Sequence, residues 1–293
     1  MSASKTMTKT ATGTRFASWS RAQAIGLVAL LLMLLGWGLL AGSNRPEAYR
    51  HPDPAKTDAA LYTQITERVI GGQSYYRAVD AVQAERGFPT RPFVTVREPA
   101  LTWVTSRVGG IAVMRIALVA LGIAVVATMI LRLERIAPGR PTWWFASAMS
   151  ALAVAPVVTG DAVVIHEVWA GLLLTLALAL STVRLWWIGL AIGFAAVIVR
   201  ELALPLFAVM IAFEIAKGSY RRAIAWAVGA LLFVGLLAIH AANVANDVSP
   251  STAESAGWLK FGGWPFFVDS VRFSTILQDM PEWVAAVVVP LAL

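Results

Sequence analysis

The chain alternates apolar blocks with short charged connectors, and one long polar stretch, residues 43–108, interrupts that pattern near its start. Residues 22–42 are almost wholly apolar; about twenty helical residues rise roughly 30 Å, enough to cross the hydrocarbon core. The block predicts a first span, kept as an uncleaved anchor because its apolar run is longer than that of a signal peptide. A second span is predicted over 109–131. Residues 142–182 contain a single polar interruption, GDAVVIHE, and predict a helical hairpin with 161–167 at its tip. The next apolar block, 186–216, is too long for one straight crossing and too short for two. Arg184 precedes it and Lys217, Arg221 and Arg222 follow it, so both ends belong on the same side. The chain is therefore expected to go out and return, turning at Arg200-Glu201, with protein or a water-filled cavity around that turn. Residues 223–241 predict a further span, and 242–282 a second outer loop grazing the interface. Residues 283–293 read as a partial eighth span, as of a chain cut short. The expected fold class is an all-α polytopic membrane protein with about seven complete transmembrane helices plus a partial eighth.

The polar stretch itself reads as helices packed at the membrane surface. Asp58, Leu61, Tyr62, Ile65 and Val69 recur at helical spacing, and Gly71-Gly72 ends the run. A second helix is expected over 74–86, with Tyr75, Val79 and Val82 on one face and Gly87 as its stop. Pro89 and Pro92 hold the chain extended, and Pro99 is placed to start the helix that leads into the second span.

Composition strengthens the membrane reading. The chain is 58% hydrophobic and only 14% charged, outside what a soluble domain presents to water. Its net charge of +7 comes from basic residues beside apolar blocks, where topology accounts for them and nucleic acid is not needed as a partner. Residues 1–21 carry Lys5, Lys9, Arg15 and Arg21 and no acid, so they are expected to be a disordered cytoplasmic tail, which puts 43–108 outside. The absence of cysteine excludes disulfides, thiolate metal sites and a cysteine nucleophile. Three histidines, His51, His166 and His240, leave little for an imidazole-rich metal centre.

Several residues suit chemistry. Asp58 combines the outer location, a helix start and Tyr62 one turn on along the same face; a carboxylate there can take the proton of an attacking hydroxyl, although Asp is also a favoured N-cap. Asp53, followed by Pro54, reads as a cap or turn. Asp161, His166 and Glu167 at the hairpin tip suit acceptor positioning or a divalent cation, or form a solvated turn. Arg200-Glu201 lies in apolar sequence, where an ionisable pair is costly unless it lines a site or neutralises itself; a guanidinium fork fits a phosphate. Arg97-Glu98 is a similar pair in a more polar setting. Arg115, inside the second span, reads as snorkelling toward the outer head groups, with a lining for a lipid phosphate as the sharper reading.

An anchor span, a long outer loop with an acidic D-x-x-x-Y helix, the Tyr75-Tyr76 pair and the R-E-P-A-L entry to span two resemble the GT-C class of bacterial membrane glycosyltransferases. The members related to protein mannosyltransferases and aminoarabinose transferases are the nearest comparison, over most of 22–241. The resemblance implies a GT-C-like module over 22–241 in the bacterial cytoplasmic (inner) membrane, multi-pass, with its active face extracytoplasmic. It implies a polyprenyl-phosphate sugar as donor, a glycan, lipid or protein as acceptor, and a carboxylate base in the first outer loop, for which Asp58 is the matching position. Tyr62, Arg97, Glu98, Asp161, His166, Glu167, Arg200 and Glu201 are then the expected substrate-binding residues, with Arg200 on the leaving phosphate. No cofactor is expected beyond a possible divalent cation. The alternative is a transporter or lipid-handling protein with Arg115, Arg200 and Glu201 lining a solute path; one dominant outer loop without paired halves favours the enzyme.

Overall fold

The computed structural model describes residues 57–136, 160–181, 186–251, 263–273 and 280–292, with isolated positions outside these stretches. The expected tail, most of the expected 22–42 span, residues 43–56 with His51 and Asp53, and most of the first arm of the 142–182 hairpin lie outside the described residues. Every regular element among the described residues is helical.

The larger unit begins with α1 (Asp58–Ile70) and α2 (Tyr75–Arg86). The apolar spacing seen in the sequence buries Leu61, Tyr62 and Ile65 on α1 and Tyr75, Val79 and Val82 on α2. Gly87 ends α2 in the left-handed conformation, φ 70°. The Phe88 amide donates to the Gln83 carbonyl and the Gly87 amide to Ala84, the paired bonds of a Schellman stop. Arg68 bridges the two helices to Glu85 at 2.7 Å. A 3₁₀ turn, Phe93–Thr95, then leads through Pro99 into α3 (Ala100–Arg107) and, after Gly109-Gly110, into α4 (Ile111–Ile136). A further 3₁₀ turn, Gly160–Val164, precedes α5 (His166–Ser181), followed by α6 (Trp186–Val199), a 3₁₀ turn at Glu201–Ala203, α7 (Pro205–Ala216) and α8 (Tyr220–Asp247).

Two apolar cores organise this unit. One joins α1, α2, α4 and the start of α5 through Leu61, Val79, Leu118 and Trp169. The other joins α5 to α8 through Ala177, Val197, Phe207 and Trp226. α5 and α6 form an antiparallel pair that approaches closely at Gly189, where a Cβ would meet the Ala177 carbonyl at 2.8 Å. At the same end of α5, Arg132 of α4 donates to the Ala179 carbonyl. A second, smaller unit contains α9 (Gly263–Phe273) and α10 (Glu282–Ala292), packed through Val268, Ala285 and Val289 and linked by Arg272–Glu282 at 3.6 Å.

Among the described residues, two helices are long and apolar enough to cross a membrane: Ile111–Arg135, with mean hydropathy 2.5, and Tyr220–Asp247, with 2.2. Only 17% and 28% of these windows is buried in protein, and Ile116, Ile123, Leu231 and Ile239 are exposed on them. Apolar surface of this extent belongs in lipid, so the chain is membrane-associated. The expectation of seven complete spans and a partial eighth is overturned. α5, α6 and α7 have 16, 14 and 12 residues, each short of the roughly 20 that a crossing needs. The apolar blocks predicted their length correctly as sequence but not as helix. The 3₁₀ turn before His166, the break at Arg200 and Pro205 at the start of α7 divide them.

Candidate functional site

Four separate segments deliver ionisable side chains to one end of the helices. α1 opens with Asp58 because Thr57 takes the N-cap, its Oγ1 accepting from the Ala60 amide at 3.3 Å. The cap role open to Asp58 in the sequence therefore belongs to its neighbour, and Asp58 stands exposed in the first turn. Arg97-Glu98 come from the extended stretch before α3, His166-Glu167 open α5, and Arg200-Glu201 lie where α6 breaks.

Glu167 links these segments. Its Oε1 lies 3.0 Å from Arg200 Nε and 3.4 Å from Arg97 Nη2, and Arg200 Nη1 donates to Glu201 Oε1 at 2.5 Å. The Arg200 Nε contact is a close charge pair without hydrogen-bond alignment. The Arg97 guanidinium sits 5.8 Å from the centre of the Tyr62 ring, and Tyr62 meets the His166 ring edge-on at 4.9 Å. Both guanidiniums are buried, with 9% and 5% of their side chains exposed, whereas Glu167 is 44% exposed. Two accessible carboxylates, Asp58 and Glu167, thus lie over a buried floor of two guanidiniums.

The electrostatics follow from that layering. Partial desolvation by the surrounding protein pushes the Asp58 carboxyl above its usual range although the residue keeps access to solvent; Arg97 and Arg200 oppose the shift and Glu167 adds to it. A raised carboxylate pKa makes a stronger base. Burial, reinforced by Arg97 and Arg200, pushes the His166 imidazole down to about 3, so it is neutral. Burial also raises Glu98 to about 8, with Glu201 beside it adding charge repulsion and accepting a hydrogen bond. At neutral pH the Glu98–Glu201 pair therefore shares a proton.

This carries a pH prediction. Folded Glu98 keeps its proton up to about pH 8, whereas the unfolded chain releases it near 4.3. The folded state binds the extra proton in that window, so stability falls as pH rises through it. Thermal unfolding of detergent-solubilised protein from pH 5 to 9 is expected to show a steeper decline for wild type than for Glu98→Gln. Equal slopes would remove the shared proton.

The backbone around Arg97 is fixed from both sides. Tyr75 Oη donates to the Arg97 carbonyl at 2.7 Å, and His240 Nε2 lies 3.0 Å from the Val96 carbonyl. A carbonyl only accepts, so Nε2 carries the hydrogen and Nδ1 accepts from Tyr76 Oη at 3.1 Å. The sequence displayed the Tyr75-Tyr76 pair but not its targets, because one hydroxyl acts on the Arg97 carbonyl and the other on a histidine far along the chain. Beside this network an apolar cavity of about 140 Å³ is lined by Glu98 and His240 together with Ile198, Phe233, Leu236 and Ile239.

All the expected site residues except Asp161 meet in this cluster. Asp161 is exposed in the 3₁₀ turn and takes no part. Among the described residues no group of three or more His, Asp or Glu side chains is arranged to hold a metal ion. Asp161, His166 and Glu167 thus do not form the divalent-cation site that their sequence suited: His166 packs on Tyr62, and Glu167, about 100° further round the helix, turns to the arginines. No family model matches the chain, and no curated protein or solved structure matches it either, so its functional reading rests on the geometry of this cluster.

Proposed function

We propose that the chain is a membrane glycosyltransferase that moves a sugar from a polyprenyl-phosphate donor to an acceptor hydroxyl, with the cluster end of its helices on the extracytoplasmic face of a bacterial inner membrane. The observation that carries this reading is the convergence of Asp58, Arg97, Glu167 and Arg200 from four segments, with carboxylates accessible above buried guanidiniums. Asp58 takes the proton of the acceptor hydroxyl as that oxygen attacks the anomeric carbon. The bond from this carbon to the phosphate oxygen breaks, and its electron pair leaves on the phosphate. Arg200 and Arg97 stabilise that charge, with Glu167 moving aside because it is partly solvated. The apolar cavity beside Glu98 supports a donor with a lipid chain.

The test is release of polyprenyl phosphate from a labelled polyprenyl-phosphate sugar by membranes containing the full chain. No release above membranes without the chain, across a panel of sugars, would sink the reading. Sidedness is tested separately in this cysteine-free chain. Ala84→Cys on α2 is expected to react with an impermeant maleimide from outside intact cells, and Lys217→Cys only after permeabilisation. The reverse pattern would invert the assignment.

A further inference from the structure

A second feature adjoins the cavity beside Glu98, with which it shares Tyr76 and Trp103. An open groove of about 460 Å³ sits where α1 turns into α2 beside the end of α3, lined by Gln73, Ser74, Tyr76, Trp103, Ser106 and Arg107 among others. Val69 also borders it, eleven residues along α1 from Asp58, or about 16 Å at a helical rise. Arg107 is the single charged side chain in the lining, which contains no acid. Its Nη1 donates to the Trp103 carbonyl at 3.2 Å, and no carboxylate among the described residues engages the rest of its fork.

The surroundings identify the ligand. Ile70, Trp103, Val104 and Val108 are exposed around the groove, and Val113 and Ile116 continue this apolar surface onto α4. The span itself starts at Ile111, four residues after Arg107. The groove therefore opens at the level where a bilayer's head groups meet its hydrocarbon, the usual depth of tryptophan and arginine anchors. A soluble ligand would leave the apolar collar facing water; a lipid covers it while its phosphate reaches the guanidinium.

We propose that this groove binds the head group of an anionic glycerophospholipid from the surrounding bilayer, with the phosphate on Arg107, the glycerol region against Trp103 and the chains along the collar. A guanidinium fork matches two phosphate oxygens, and the hydroxyls and amide of Ser74, Ser106 and Gln73 suit the head-group alcohol. Arg107, which carries this assignment, lines the groove and not the cavity beside Glu98, so the lipid site is tested independently of sugar transfer.

The experiment uses the delipidated full chain in neutral detergent, titrated with phosphatidylglycerol or phosphatidylcholine and read by native mass spectrometry. Wild type is expected to retain phosphatidylglycerol about fivefold more tightly, the contribution of one basic residue to an anionic lipid. R107Q is expected to abolish that preference with helical content unchanged, because the side chain is exposed. R77Q, at an exposed arginine on α2 outside the groove, is expected to keep it. W103A is expected to weaken both lipids alike. Equal retention of the two lipids by wild type, or equal losses in R77Q and R107Q, would overturn the proposal. So would full competition by inorganic phosphate, which would make this a free-anion site, or by a neutral oligosaccharide, which would make it a glycan site.

Discussion

Asp58→Asn is expected to lower sugar transfer by about 100-fold or more, the scale of general base catalysis, while leaving the fold intact. The separation of chemistry from stability is cleaner than the sequence alone allowed. Thr57, and not Asp58, caps α1, so neither Asp58→Asn nor Asp58→Ala removes the cap. The cost of losing a cap, about 1 kcal/mol, is expected for Thr57→Ala instead. Donor affinity should change little in Asp58→Asn, because the partner of Asp58 is the acceptor hydroxyl. Initial rates of polyprenyl phosphate release, alongside thermal unfolding of the same preparations, provide both readouts. If Asp58→Asn transfers at the wild-type rate while Glu167→Gln is inactive, the base is Glu167.

Arg200→Ala is expected to destabilise the protein by about 3–5 kcal/mol, the range for removing one partner from a buried ion pair. The guanidinium is almost fully buried and contacts two carboxylates, Glu167 at 3.0 Å and Glu201 at 2.5 Å. Without it Glu201, only 15% exposed, faces Glu98 with no counter-charge in direct contact, only the field of Arg97. A loss of that size is a large fraction of a domain's stability and should lower the unfolding midpoint well beyond the effect of surface substitutions. Arg200→Lys separates the two roles of the residue. It keeps a positive charge and more of the stability, but a single ammonium cannot reproduce the planar fork, so turnover is expected to fall roughly 100-fold. An Arg200→Ala protein that unfolds at the wild-type midpoint would contradict the buried pairing. Wild-type turnover in Arg200→Lys would remove the fork from the mechanism.

The sequence by itself determined the features that depend on near neighbours. Apolar residues at helical spacing marked the buried faces of α1 and α2, Gly87 marked the stop of α2, and Arg200-Glu201 marked the break between α6 and α7. It also marked which ionisable residues needed explaining, because a charge within apolar sequence is costly wherever it goes. Helix lengths were less legible. An apolar block reports total hydrophobicity, whereas the 3₁₀ turns beside His166 and Arg200 decide how much of it is continuous helix. That is why α5, α6 and α7, with 16, 14 and 12 residues, fall short of a crossing. The tertiary structure alone decided who meets whom. Glu167 joins Arg97 to Arg200 across 70 and 33 residues of chain only because α5 and α6 pack antiparallel against the α1–α3 region. The same packing leaves Asp161 outside and sends His240 to the Val96 carbonyl, whereas the Thr57 cap is a local bond to the Ala60 amide. Local propensity acts over a few residues, while these pairings are set by the closure of separate helices around shared apolar cores, which no short stretch of sequence encodes.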